Sequence, residues 1–499
     1  MRQARHVPPP PKSTPHRGVF ALWSAPGHDD RVKGPVGAVG AVGAEEAVRA
    51  GEAAGGAAVG ALFEELVREH GVTGAQLAVH RDGTLSEYAT GLASVRTGEP
   101  VTSRTGFPFG SVTKFLTAEL VMQFVSDGDL DLDEPLAGLL PDLKRAAVPA
   151  LGTATVRHLL SHTAGVVDSL EHPEMRGPSY RRFAGVCAQQ PALFPPGRAF
   201  SYSNTGYCLL GAVVEAASGM DWWTAMDSCL LRPLGIEPAF LHDPRPGQNG
   251  AARPVAEGHA LRAGGERAER VDHMTSLSLA AAGGLVGSAT DLVTAARPHL
   301  ADRETFPQRH LLPEDAVLAM RTCVPDAEPF GLADGWGLGL MRHGHGDDAW
   351  YGHDGAVGGA SCNLRLHPGR SIALALTANS TAGPKLWEAL IARLPEAGLD
   401  VGHYALPVPD SPQGAPLADY LGTYANGDLA LMVVRDDSGD LLLTRESYTD
   451  YRLSLHEDDL FVARSGEPGA LPITGRFVRE RADGPVTLLQ YGGRAMYRL

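Results

Sequence analysis

Three short stretches hold residue types able to break and make an acyl bond: Ser111 and Lys114 in FGSVTKF, Tyr202 and Asn204 in FSYSNTGY, and His353 with Gly355 in YGHDGAV. A serine hydroxyl is a weak nucleophile until a neighbouring base takes its proton. A lysine three residues further on shares its helix face, with Cβ atoms about 5–6 Å apart, so Ser111 and Lys114 can touch. Lys114 acts as a base only if it is neutral near pH 7, which requires burial or nearby positive charge. The positive end of a helix at Ser111 works in that direction and also favours a developing oxyanion. Taken alone, Ser-x-x-Lys also fits an ordinary helix start with a solvated lysine. The Tyr202 phenol could carry a proton and Asn204 could donate to a substrate carbonyl, although the same run also reads as a capped turn. Gly355 would let a substrate backbone approach closely.

Around these residues the hydropathy pattern lays out a scaffold. ALFEELVREHG has apolar residues at helical spacing, and AQLAVH and LSEYAT flank Asp82-Gly83 as a hairpin. Phe115, Leu116, Leu120, Val121 and Phe124 recur at helical spacing, which predicts a helix that starts at Ser111 and ends near Asp127-Gly128. Residues 130–330 read as helices and loops inserted between sheet elements. The sheet resumes in a second hairpin around His367-Pro368-Gly369-Arg370. Residues 1–57, Pro-rich and then Ala/Gly-rich, are expected to be a disordered extension. Residues 58–402 form the catalytic domain, 403–415 a Pro-rich linker, and 416–499 a separate small antiparallel β-barrel of short strands and frequent turns.

Composition narrows the function. With 499 residues the chain exceeds one core, and 43% hydrophobic and 20% charged residues are ordinary globular values. A formal charge of -15 without a Lys/Arg-rich run disfavours nucleic acid. Five scattered cysteines without a Cys-x-x-Cys pair argue against a disulfide framework or structural zinc, and suggest a reducing compartment. VFALW is too short for a signal h-region, and no apolar run is long enough to span a bilayer, so a cytoplasmic protein without a membrane partner is expected. His343, His345 and Asp347 near His353 read as a Gly-punctuated polar loop; no metal and no cofactor is expected. Trp222-Trp223 reads as core.

The three motifs, in this order and with RHLLSHTAGV and AAGGLVGSATDLV between them, resemble the serine β-lactamase and penicillin-binding-protein superfamily, in its class C, DD-peptidase and esterase branch. The resemblance spans roughly residues 58–400. It implies an α/β (α+β) domain in which an antiparallel sheet is flanked by helices, with an all-helical subdomain and the site between them. It also implies Ser111 as the acylated nucleophile, Lys114 as base, Tyr202 as proton carrier, and His353 where many relatives carry lysine. The backbone amides of Ser111 and Ala356 would form the oxyanion hole, with Asn204 and Gly355 at the substrate.

The departures matter. His-Asp-Gly stands where β-lactamases commonly offer Lys-Thr-Gly, with a carboxylate at the middle position. DYLGTY and GGRAMYRL look like the lipocalin-like domain appended in some relatives, and Arg494 in it reads either as a cation reaching the cleft or as a surface arginine. The whole is most similar to penicillin-binding-protein-type thioesterases. These take a linear peptidyl thioester from a peptidyl carrier protein of a nonribosomal peptide synthetase and release a head-to-tail macrolactam, preferring a D-residue at the acyl donor. A D-stereospecific esterase, amidase or DD-carboxypeptidase with the same residues is the alternative, and a non-catalytic sensor is the reading from another class.

Overall fold

The computed structural model describes residues 44–145, 149–170, 179–245, 253–261, 268–273, 276–406, 417–444, 451–465, 472–481 and 483–499. The chain opens with helix α1 (Ala44–Glu69). Residues 44–57, expected to lack structure, supply its first turns: the segment is rich in alanine, the best helix former, which offsets its glycines. The expected extension before residue 44, residues 407–415 of the expected linker and residue 416 lie outside the described residues.

Strands β1 (Gly74–Arg81) and β2 (Thr84–Ser94) pair through a two-residue turn in which Asp82 and Gly83 both take positive φ, 51° and 78°, as a tight hairpin demands. With β3 (Glu99–Pro100), β4 (Gly335–Trp336), β5 (Met341–His343), β6 (Trp350–Val357), β7 (Ala360–His367) and β8 (Ile372–Ala378) they form one antiparallel sheet ordered β3-β2-β1-β8-β7-β6-β5-β4. The helical region is therefore an excursion from one edge of this sheet to the other, as the hydropathy pattern predicts. Alternation along the central strands sorts the two cores. Leu374 and Leu376 pack with Phe63 and Trp387 against α1, whereas Ala373 and Ala375 join Phe115 and Leu116 on the opposite face.

On that opposite face lies helix α2 (Thr113–Ser126). All residues from Thr113 to Gln123 are buried, so it is covered by the sheet on one side and the helical region on the other. It ends before Asp127, and Gly128 turns left-handed (φ 81°). Helix α3 (Asn204–Ser218) crosses it, capped by the Ser203 hydroxyl, which accepts from Gly206 N. Trp222 and Trp223 are fully buried, as expected of core residues. Among the described residues no helix is long and apolar enough to cross a membrane.

Eight antiparallel strands, from Gly422–Asn426 to Arg494–Arg498, close into a barrel whose interior is filled by Tyr424, Phe461, Phe477, Leu489 and Met496. Separate in topology, the barrel is nonetheless docked on the sheet-and-helix region. Gly493 O accepts from Tyr202 N at 2.8 Å, Ala495 N donates to Ser201 Oγ, and Gln490 Nε2 donates to Phe200 O and Glu328 O. Buried Asn426 bridges the two units, accepting from Asp168 N and donating to Ala495 O, both at 2.8 Å. Asn426→Ala leaves two buried backbone groups unpaired. Thermal unfolding is expected to show a loss of about 1–3 kcal/mol.

Candidate active site

Ser111 lies in a single 3-10 turn (Gly110–Val112) that runs directly into α2. Two glycines allow the turn to press on strand β6. Gly110 has φ 52°, and a Cβ there would stand 2.8 Å from Ala356 N. A Cβ on Gly355 would collide with Phe109 O and stand 2.8 Å from Ser111 N. The close approach that Gly355 permits is thus that of the protein's own turn, not of a substrate backbone, because β6 and the turn share that space. The Ser111 and Ala356 amides are brought to adjoining segments.

Lys114 is fully buried and has three polar partners: Asn204 Oδ1 at 2.7 Å, Ala282 O at 2.8 Å and Ser111 Oγ at 3.2 Å. Its Nζ also sits 4.8 Å from the Tyr202 ring centre. Burial pulls its pKa down to about 7, helped by Arg494 and opposed by Asp168 and Cys208. A neutral amine has two hydrogens and one lone pair. Asn204 Oδ1 and Ala282 O, which can only accept, take the hydrogens, so the lone pair faces the Ser111 hydroxyl.

Tyr202 is 5% exposed, and burial drives its phenol above its usual range, against the hydrogen bond it shares with Ser111 and the charge of Arg494. It is therefore a protonated donor at neutral pH. Asn204 does not match the expected free donor. Its amide nitrogen already donates to Asp168 Oδ1 and Ser169 Oγ, both at 3.1 Å, because its oxygen is committed to Lys114.

His353 is fully buried, packed edge-on against Trp336 with ring centres 5.5 Å apart. Burial and the nearby Lys114 push its pKa down to about 3, so at neutral pH it is an uncharged ring and not a cation in the place of a lysine. Its Nδ1 donates to Asp354 O at 2.8 Å, and Nε2 has no hydrogen-bond partner among the described residues. Asp354 faces the other side of the sheet, where Arg365 grips its carboxylate at 2.7 and 2.8 Å and Asn363 adds a third bond. Strand alternation thus removes from the cleft the carboxylate that the sequence set beside His353. No three His, Cys, Asp or Glu side chains among the described residues converge on a metal site.

Arg494 does reach the cleft, but it arrives paired. Its guanidinium lies 5.2 Å from the Tyr202 ring centre, and Nε donates to Asp168 Oδ2 at 2.6 Å. Two further residues, Asp168 and His162, join the site without belonging to any of the three motifs. His162, ring centre 4.4 Å from that of Tyr202, accepts from Ser203 N through Nδ1. The only signal for Asp168 is a carboxylate within the apolar run VVDSL, which must find a partner if buried.

Residues 59–398 match the Beta-lactamase family model. The chain belongs to the Beta-lactamase family. Among curated relatives, penicillin-binding protein 4 of Amycolatopsis lactamdurans is 35% identical over 369 residues, 72% of this chain and 95% of that protein. Esterase EstB of Burkholderia gladioli is 31% identical over 317 residues, 56% of this chain and 78% of that protein. Among solved structures, SurE is 86% identical with a TM-score of 0.86, covering 90% of this chain and 100% of that one. SurE has also been solved with D-Leu, at 84% identity and a TM-score of 0.84 over the same shares. The family match ends before the barrel, whereas the SurE match includes it. Within this family fold, Gly355→Ala would wedge a methyl group between β6 and the Ser111 turn. A stability loss of about 1–3 kcal/mol in thermal unfolding is expected, together with slower labelling of Ser111 by an acylating ester followed by mass spectrometry.

Proposed function

We propose that this chain is a trans-acting cyclase of nonribosomal peptides, a penicillin-binding-protein-type thioesterase acting in the cytoplasm. The observation that carries the reading is the 86% identity, barrel included, to SurE, the surugamide cyclase. The substrate is a linear peptidyl thioester on a peptidyl carrier protein of the synthetase. The D-Leu bound to SurE supports a D-residue at its acyl-donor end.

The chemistry follows from the groups in the cleft. Ser111 Oγ attacks the thioester carbonyl while Lys114 Nζ takes its proton; the C–O bond forms and the C–S bond breaks. Tyr202, which starts protonated, supplies the proton to the departing thiolate and is reprotonated from Lys114. The amides of Ser111 and Ala356 bind the carbonyl oxygen as it gains charge. The peptide's own N-terminal amine then attacks the acyl-serine and loses a proton through Tyr202. The amide forms and Ser111 is released.

The neutral His353 bears on the choice among family reactions. Substrates of DD-carboxypeptidases and β-lactamases carry a free carboxylate, for which an uncharged imidazole provides no counter-ion. A carrier-bound peptidyl thioester has no such carboxylate at its acyl-donor end. The hydrolase reading, in which water is the acceptor, has an esterase, EstB, as a relative at 31% identity.

Incubation with a short-chain thioester of a linear peptide ending in a D-residue is expected to give the cyclic peptide, read by mass spectrometry of products and intact protein. Free acid alone would establish the hydrolase instead. Lys114→Ala is expected to abolish the acyl adduct on Ser111 with unfolding unchanged in character. Because Lys114 must be neutral to act, kcat/KM is expected to rise with pH through about 7. A pH-independent rate between pH 5 and 9 would refute Lys114 as base.

A further inference from the structure

Beyond the residues of the three motifs, one buried side chain touches none of the reacting atoms yet joins the start of α3 to the barrel beside them. Asp168 Oδ1 accepts from Asn204 Nδ2 at 3.1 Å and from Asn204 N at 3.3 Å. Its Oδ2 accepts from Arg494 Nε at 2.6 Å. Its backbone is fixed at both ends: N donates to Asn426 Oδ1 of the barrel, and O accepts from Thr205 N at the start of α3, each at 2.8 Å.

The consequence is one of hydrogen-bond polarity. An asparagine amide has two nearly isosteric ends, and nothing in its shape decides which faces Lys114. A carboxylate only accepts, so Asp168 turns the Asn204 nitrogen towards itself and the oxygen towards Lys114. That oxygen, with Ala282 O, occupies both hydrogens of the neutral amine and leaves its lone pair for Ser111. With the amide reversed, Asn204 would present a donor to Lys114 and compete with Ser111 for the lone pair.

We propose that Asp168 is the positioning residue of this site: it aims the Asn204 carbonyl at Lys114, and through Arg494 it fixes the last barrel hairpin over Tyr202. This rests on the reading of Lys114 as the base. The barrel is then part of the proton-transfer machinery and not a passive cap. A positioning role differs from a purely structural one in its pH signature. The groups around Lys114 are Asp168 and His162 from the segment after the short helix Val156–Leu160, Tyr202 ahead of α3, Tyr207 and Cys208 on α3, His353 on β6 and Arg494 from the barrel. His162 and His353 are held neutral by burial, and the phenols and the thiol stay protonated. Asp168 and Arg494 are therefore the two charges that act on Lys114, with opposite signs.

The test follows acylation of Ser111 in the full chain by a p-nitrophenyl ester of a D-amino acid, from pH 5 to 9. Asp168→Asn is expected to slow acylation about tenfold or more and to move the acid limb of the rate profile to lower pH, because the charge that raises the Lys114 pKa is gone. Arg494→Gln is expected to move the same limb to higher pH. An Asp168→Asn protein that melts like wild type but acylates within twofold of it, or whose limb stays in place, overturns the proposal. If Asp168→Asn does not fold, Arg494→Gln decides: a limb unmoved or moved downward overturns it. A wild-type protein that takes no acyl group refutes the underlying reading of Ser111 and Lys114, a result distinct from either variant outcome.

Discussion

Everything in this cleft depends on keeping an amine dry. Lys114 is fully buried, and burial outweighs the neighbouring carboxylate in lowering its pKa to about 7. An unpaired buried ammonium would cost several kcal/mol. The site instead surrounds the amine with two carbonyl oxygens and one hydroxyl and lets it lose its proton. Its buried position on α2 excludes water from it, and two glycines let the Ser111 turn lie close on β6 beside it.

The same desolvation sorts the other titratable groups. His353 and His162 lose their positive forms, and the phenol of Tyr202 keeps its proton. Burial thus favours a neutral amine, a protonated phenol and a neutral imidazole in three residues whose solution pKa values would leave two of them charged or partly charged at pH 7. The remaining fixed charges are sequestered as pairs: Asp354 with Arg365 behind the sheet, and Asp168 with Arg494 at the barrel junction. The chain's net charge is acidic, but the cleft itself is nearly neutral.

How much of this was legible in the sequence follows the range of each interaction. Ser111 and Lys114 are one helical turn apart, so local spacing was enough to pair them, and Asp82-Gly83 announced its hairpin for the same reason. Alternation along β6 places Asp354 behind the sheet, but His-Asp-Gly, with two glycines within four residues, carries no strand pattern in the sequence. The Asp168–Arg494 pair spans 326 residues and joins two units with different folds, so no local pattern encodes it. Ala282 contributes a backbone carbonyl, which carries no residue signature at all. In residues 44–57 Gly and Ala together have the composition of low complexity, whereas alanine's helix propensity prevails in the fold.

The central claim, that Ser111 is activated by a neutral lysine, has a direct measurement. The chain holds five lysines, few enough to follow individually by nuclear magnetic resonance after labelling their side chains with carbon-13. One lysine signal titrating at about 7, absent from Lys114→Ala, is the expected result. If every lysine titrates near the ordinary value of about 10, Lys114 is charged at neutral pH and cannot be the base.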